Sequence, residues 1–139
     1  MKVLLDTDVL LDVALDREAF VDESSAVVQW CQQTPGGALV AWHTISNVYY
    51  ILRVARNDAK AREFVADLLA FAGVASGTTE NVRQALTMRM SEFEDAMQVA
   101  AAMSGHADLI VTRNVPDYRH SVIPAITPRQ FRTRVARIS

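Results

Sequence analysis

The chain has 139 residues, half of them hydrophobic, a net charge of −2 and a single cysteine, which fits one globular domain and excludes an intrachain disulfide framework. No apolar run approaches the roughly 20 residues needed to span a bilayer, and no charged-then-apolar leader precedes the first strand, so the expected address is the cytoplasm. The charge is uneven. Residues 1–25 carry seven acids (Asp6, Asp8, Asp12, Asp16, Glu18, Asp22, Glu23) against Lys2 and Arg17, and residues 113–139 carry six arginines (Arg113, Arg119, Arg129, Arg132, Arg134, Arg137) against Asp117 alone. An acidic pole suits cations and a basic tail suits phosphate or an acidic partner; a solvated surface accounts for either as well.

In chain order, a buried strand over 2–5 ends in Asp6, followed by a short helix near 9–15 and a helix near 19–33. Cys31, within the apolar pattern of Val27, Val28 and Trp30, reads as a packing residue. Pro35-Gly36-Gly37 is a turn into a strand over 38–42. The next helix covers about 44–57, with Thr44 as its N-cap and Val48, Ile51, Leu52 and Ala55 facing inward. Asp58 caps a helix to about 71, Gly73-Val74-Ala75 is a weak strand, and a helix covers about 79–88. Residues 92–104 form a helix with Phe93, Met97, Ala100, Ala101 and Met103 inward; Ser91 with Glu94 fits a capping box. Leu109-Ile110-Val111 is a buried strand, Val122–Ile126 an edge strand because it contains Pro124, and Pro128 opens a final helix over 128–136.

Strands separated by helical segments indicate a parallel sheet covered on both faces, with every strand's C-terminal end on one edge. Asp6, His43 and the residues after Val111 gather at that edge. A carboxylate at such a strand end is costly to bury unless it is paired, hydrogen-bonded or bound to a metal. Asp95 is an acid beside the apolar stripe of Val99 and Met103, which capping does not explain. Thr112, Asn114 and Asp117 follow a buried strand at once, either as an ordinary Asn/Asp turn or as oxygen donors. Asn47 lies on the inner face of its helix, where satisfying its own helix terminus is the simpler reading. Asp6, Asn47, Asp95, Asn114 and Asp117 are hard oxygen donors that suit Mg²⁺ or Mn²⁺. The three histidines show no zinc spacing, and no phosphate-binding glycine loop is present. A divalent cation compensates such a cluster and supports phosphodiester hydrolysis. A phosphotransferase reading of Asp6-Thr7-Asp8 lacks its downstream lysine, since the only lysines are Lys2 and Lys60.

Leu4-Leu5-Asp6-Thr7-Asp8-Val9-Leu10-Leu11, Phe93-Glu94-Asp95-Ala96-Met97-Gln98 and Val111-Thr112-Arg113-Asn114-Val115-Pro116-Asp117-Tyr118, in this order and on this strand pattern, resemble the PIN-domain nucleases, the fold of the VapC toxins. The resemblance spans nearly the whole chain, residues 1–139 as one domain. It implies a three-layer α/β/α fold with a central parallel sheet of about five strands, single-strand-specific RNA cleavage, Mg²⁺ or Mn²⁺ at the acidic pocket, homodimers and, for the toxins, an antitoxin encoded nearby. By position, Asp6 matches the first family carboxylate, Asp95 the third, and Asn114 the fourth, with Asp117 following. Asn47 departs from the Glu usual at the second, and Asp8 from the usual Asn or Ser. The implied roles are Asp6, Asp95 and Asp117 as metal ligands, Asn47 and Asn114 completing the catalytic set, and Thr112, Arg113 and Arg119 toward substrate. With amides at two acidic positions, the alternative is a catalytically weakened module that binds RNA or protein.

Overall fold

A computed structural model describes residues 1–138. Its elements run β1 (Val3–Leu5), α1 (Thr7–Ala14), α2 (Val21–Gln33), β2 (Ala38–Ala41), α3 (Trp42–Ala55), α4 (Asp58–Leu69), β3 (Ala72–Ala75), α5 (Thr79–Leu86), α6 (Phe93–Ser104), β4 (Leu109–Val111), a 3₁₀ turn (Val115–Tyr118), β5 (Ala125–Ile126) and α7 (Pro128–Ile138). The strands form one five-stranded sheet, in the order β3-β2-β1-β4-β5, and every pairing is parallel. The three-layer α/β/α expectation is met.

Strand alternation divides the core in two. Val3 and Leu5, Ala38 and Val40, and Leu109 and Val111 point to one face, where α1, α2, α3, α4 and α7 contribute Leu10, Val27, Val48, Leu68 and Phe131. Leu4, Leu39 and Ile110 point to the other, where α6 contributes Val99, Ala101 and Ala102. Both faces of these short strands are therefore apolar, the mark of a parallel sheet covered on both sides. Two crossovers over the first face carry the chain from β1 to β3. The α5–α6 connection then returns it across the second face to β4, on the far side of β1. The strand order thus reverses between β1 and β4, and open α/β sheets bind ligands outside the strand ends at such a switch point.

Several local expectations change. The Pro35-Gly36 turn is as expected: Gly36 has φ +74°, and the Gly37 N–H reaches the Thr34 carbonyl at 2.9 Å, the type II pattern that favours glycine at its third position. Cys31 is buried as expected, and burial pushes its thiol up to about 12. The second strand stops at Ala41, and α3 begins at Trp42, two residues before the expected start. Thr44 is therefore not the cap; it lies fully buried inside the first turn. The inward stripe of α3 is Thr44, Val48 and Leu52, one turn apart, while Ile51 and Ala55 face solvent. Phe93 is also exposed rather than inward. The fifth strand contracts to Ala125–Ile126, although Pro124, which has no N–H, still accepts the Ile110 N–H through its carbonyl. The expected Ser91–Glu94 capping box does not form, because Glu92 holds the N-cap position and Glu94 bonds elsewhere. A capping box does open α5, where Thr78 and Asn81 exchange hydrogen bonds.

Candidate active site

Asp6 leaves the end of β1 in extended conformation and caps α1, its Oδ1 accepting the Thr7 N–H at 2.7 Å. The same oxygen accepts the Gln98 Nε2–H at 3.1 Å, and that amide also donates to Thr44 Oγ1 at 3.0 Å. Asp6 Oδ2 accepts the hydroxyls of Thr112 at 2.8 Å and Tyr118 at 3.2 Å. One buried carboxylate thus joins β1, α6, β4 and the 3₁₀ turn. Four donors answer the desolvation of its charge.

The Tyr118 oxygen is also 3.2 Å from Asp95 Oδ1. A phenol has one hydrogen, so it satisfies one of the two carboxylates at a time. Burial, and then the charge of Asp6, push the Asp95 carboxyl up to about 6. Asp117 and Glu94 add to the rise, and the Tyr118 hydrogen bond opposes it. Asp8 is likewise pushed up to about 6 by burial and by Asp6, against the pull of the Arg113 backbone N–H. Asp8 Oδ2 accepts that N–H at 3.1 Å and the Asn114 Nδ2–H at 3.0 Å, while its buried Oδ1 has no hydrogen-bond partner.

These shifts predict a pH dependence. Both carboxyls titrate higher in the folded chain than the ordinary value of 3.8, so folding favours their protonated forms. Their contribution is complete below about 4 and is lost as pH rises toward about 6, because the unfolded chain releases those protons first. The melting temperature of chelator-treated protein should therefore fall from pH 5 to pH 7, and Asp8→Asn should reduce the fall. A melting temperature that rises steadily to pH 7 in the wild type would contradict the proximity of the carboxylates.

The structure brings Asp6, Asp95, Thr112 and, through Asp8, Asn114 to one place. Asp117 is exposed at the mouth, close enough for its charge to act on Asp95. Arg119 is exposed one residue past the 3₁₀ turn. Asn47 Nδ2 donates to Glu94 Oε1 at 2.9 Å, joining α3 to α6. Arg113, expected toward substrate, bonds to Asp12 in the structure, through Nε and Nη2 at 2.9 and 3.2 Å. Its guanidinium lies 3.8 Å over the Phe20 ring. A buried carboxylate and a ring face hold that cation, whose charge also acts on Asp8. The basic tail is partly neutralised too, since Arg129 bonds to Glu23 at 2.9 Å.

The sequence reading missed Gln98 and Tyr118. Gln98 is fully buried three residues after Asp95, so helical spacing alone puts both on one face. His43 is half-buried, burial lowers its affinity for a proton, and its Nε2 has no hydrogen-bond partner.

Among the described residues, no three His, Cys, Asp or Glu side chains converge closely enough to hold a bare metal ion. Mg²⁺ keeps several waters and commonly uses one or two carboxylates. The all-oxygen set around Asp6 and Asp95, with the carboxyls of Asp8 and Asp95 raised by burial and then by the charge of Asp6, suits a hydrated divalent cation held at its edge.

A family model described as PIN domain matches residues 2–116. Comparison with curated proteins gives no match. The fold is similar to that of VapBC2 from Rickettsia felis bound to a promoter DNA fragment, with a TM-score of 0.72 at 10% identity over 91% of this chain and 98% of that one. A toxin–antitoxin complex from Klebsiella pneumoniae gives 0.67 at 17% identity, over 91% of this chain and 98% of that one. VapC20 of Mycobacterium tuberculosis, described as a sarcin-ricin loop cleaving toxin, gives 0.64 at 15% identity, over 78% of this chain and 87% of that one.

Proposed function

The chain belongs to the PIN-domain family, and on that premise we propose that it is a Mg²⁺- or Mn²⁺-dependent endoribonuclease, the toxin of a toxin–antitoxin pair. The observation that carries this reading is the meeting of Asp6 and Asp95 on one phenol, at the point where the strand order reverses. A divalent cation bound there supplies positive charge to the reacting phosphate and a more acidic water for in-line attack. Asp6 and Asp95 would hold it. Asp117, at the mouth, would orient the attacking water. Thr112 and Asn114 fix the turn after β4 through Asp6 and Asp8. Arg119, exposed one residue past the 3₁₀ turn, would meet a substrate phosphate.

A homodimer and an antitoxin partner belong to the same reading, supported by neighbours that are toxin–antitoxin complexes. The exposed Trp42 and Tyr50 of α3 and Leu69 of α4 line one groove, an apolar surface that a partner would remove from water. Among the described residues no helix is long and apolar enough to cross a membrane.

The test is cleavage of mixed cellular RNA by purified protein with Mn²⁺, with Mg²⁺ and with EDTA, beside Asp95→Ala. Cutting with either metal, and none with EDTA or with the variant, is the expected result. A second reading, a binding module with weakened catalysis, is favoured by the lack of three converging metal-type ligands among the described residues. Folded, metal-loaded protein that binds RNA without cutting it would establish that reading instead.

A further inference from the structure

Position 47 offers an amide where the pocket lacks a charge, and α6 offers a carboxylate that its own helix does not use. Glu94 lies in the first turn of α6 but makes no cap; the N-cap residue, Glu92, has no side-chain cap bond. Glu94 Oε1 instead accepts the Asn47 Nδ2–H at 2.9 Å, a bond between two helices and between residues 47 apart in sequence. An exposed glutamate ordinarily moves through many rotamers, so one held across two helices has been given a direction. Glu94 precedes Asp95 in the chain, and it is near enough to the acidic edge for its charge to act on both Asp95 and His43.

A second observation lies beneath the same edge. Gln98, one turn after Glu94, is completely buried. Its Nε2 is committed to Asp6 and Thr44, which fixes the amide's orientation, and its Oε1 has no partner. A buried acceptor without a donor is costly. Beside carboxylates that already repel one another, a cation with its water shell would relieve both.

We infer that Glu94, steered by Asn47, supplies to the divalent-cation site the negative charge that the amide at position 47 of α3 does not. Asn47 is then a positioning residue, not a ligand. Glu94 acts as an outer carboxylate, since the described residues include no three-ligand group at direct-bonding range. The inference rests on the metal-dependent reading above.

The two are separable by Mn²⁺ titration calorimetry on the intact protein, with circular dichroism as the check on folding. Wild type should bind Mn²⁺. Glu94→Gln should weaken it roughly tenfold or more, the scale on which outer partners tune metal affinity. The double variant Asn47→Glu/Glu94→Gln keeps both the charge and an amide–carboxylate pair, and should recover to within about threefold of wild type on the same scale. Asn47→Ala, which leaves the charge but releases it, should fall between. Both positions are at least partly exposed, so the variants should fold. Absence of Mn²⁺ binding by wild type would overturn the metal-dependent reading itself. Tight wild-type binding that Glu94→Gln leaves unchanged, or that the double variant fails to restore, would overturn this inference alone.

Discussion

Asp12→Ala is expected to destabilise the fold by about 3 kcal/mol, the lower end of what breaking a buried charge pair costs. Asp12 is fully buried on α1. It accepts Arg113 Nε and Nη2 at 2.9 and 3.2 Å, Arg17 Nη1 at 3.3 Å and the Ser24 hydroxyl at 3.0 Å. Alanine would leave two guanidinium groups facing a low-dielectric site with no counter-charge. The side chains of Arg113 and Arg17 remain 26% and 36% exposed, so water recovers part of the loss, and the lower end of the range is the appropriate one. Urea unfolding should show the change as a lower midpoint at an unchanged m-value, equivalent to roughly 10 °C in melting temperature. Asp12→Asn keeps an acceptor and should lose less. A loss under 1 kcal/mol for alanine would mean that Arg113 swings freely to solvent. It would then be free to meet the substrate phosphate expected of it from the sequence.

The order and type of the elements were legible because two interior strands of the sheet, β1 and β4, are short apolar runs ended by a polar residue: Leu5 by Asp6, Val111 by Thr112. That same punctuation exposed most of the site, since the strand ends of a parallel sheet share one edge. What escaped was pairing between distant segments. Arg113 looked like a surface cation because Asp12 lies 101 residues earlier. Ser91 and Glu94 satisfied the local spacing of a capping box, yet the partner that captured Glu94 is on another helix. Ile51 and Ala55 fitted a helical stripe, but the stripe that reaches the sheet starts at Thr44, because α3 begins two residues before its expected start. Gln98 sat among alanines and drew no notice. Its spacing from Asp95 was the available signal.

Asp6→Asn is expected to fold as well as wild type and to lose at least about a hundredfold in cleavage rate and Mn²⁺ affinity, since even outer partners of a metal site cost 10–100-fold. Stability and activity separate for one reason. Asp6 Oδ1 faces two N–H donors, Thr7 N and Gln98 Nε2, whereas Oδ2 faces two hydroxyls, Thr112 and Tyr118. An asparagine therefore keeps its oxygen on the first side and turns its NH₂ to the second, where hydroxyls rotate to accept. The N-cap survives. So does the network, and the repulsion that Asp6 exerts on Asp95 and Asp8 disappears. In EDTA at pH 7 the variant should melt no lower than wild type. Asp6→Ala lacks the cap and leaves the donors unanswered, so it should lose about 2 kcal/mol. Removing the charge while keeping the hydrogen bonds separates what the site needs for chemistry from what the fold needs for stability. An Asp6→Asn protein that still cut RNA and bound Mn²⁺ like wild type would remove Asp6 from the centre of the site.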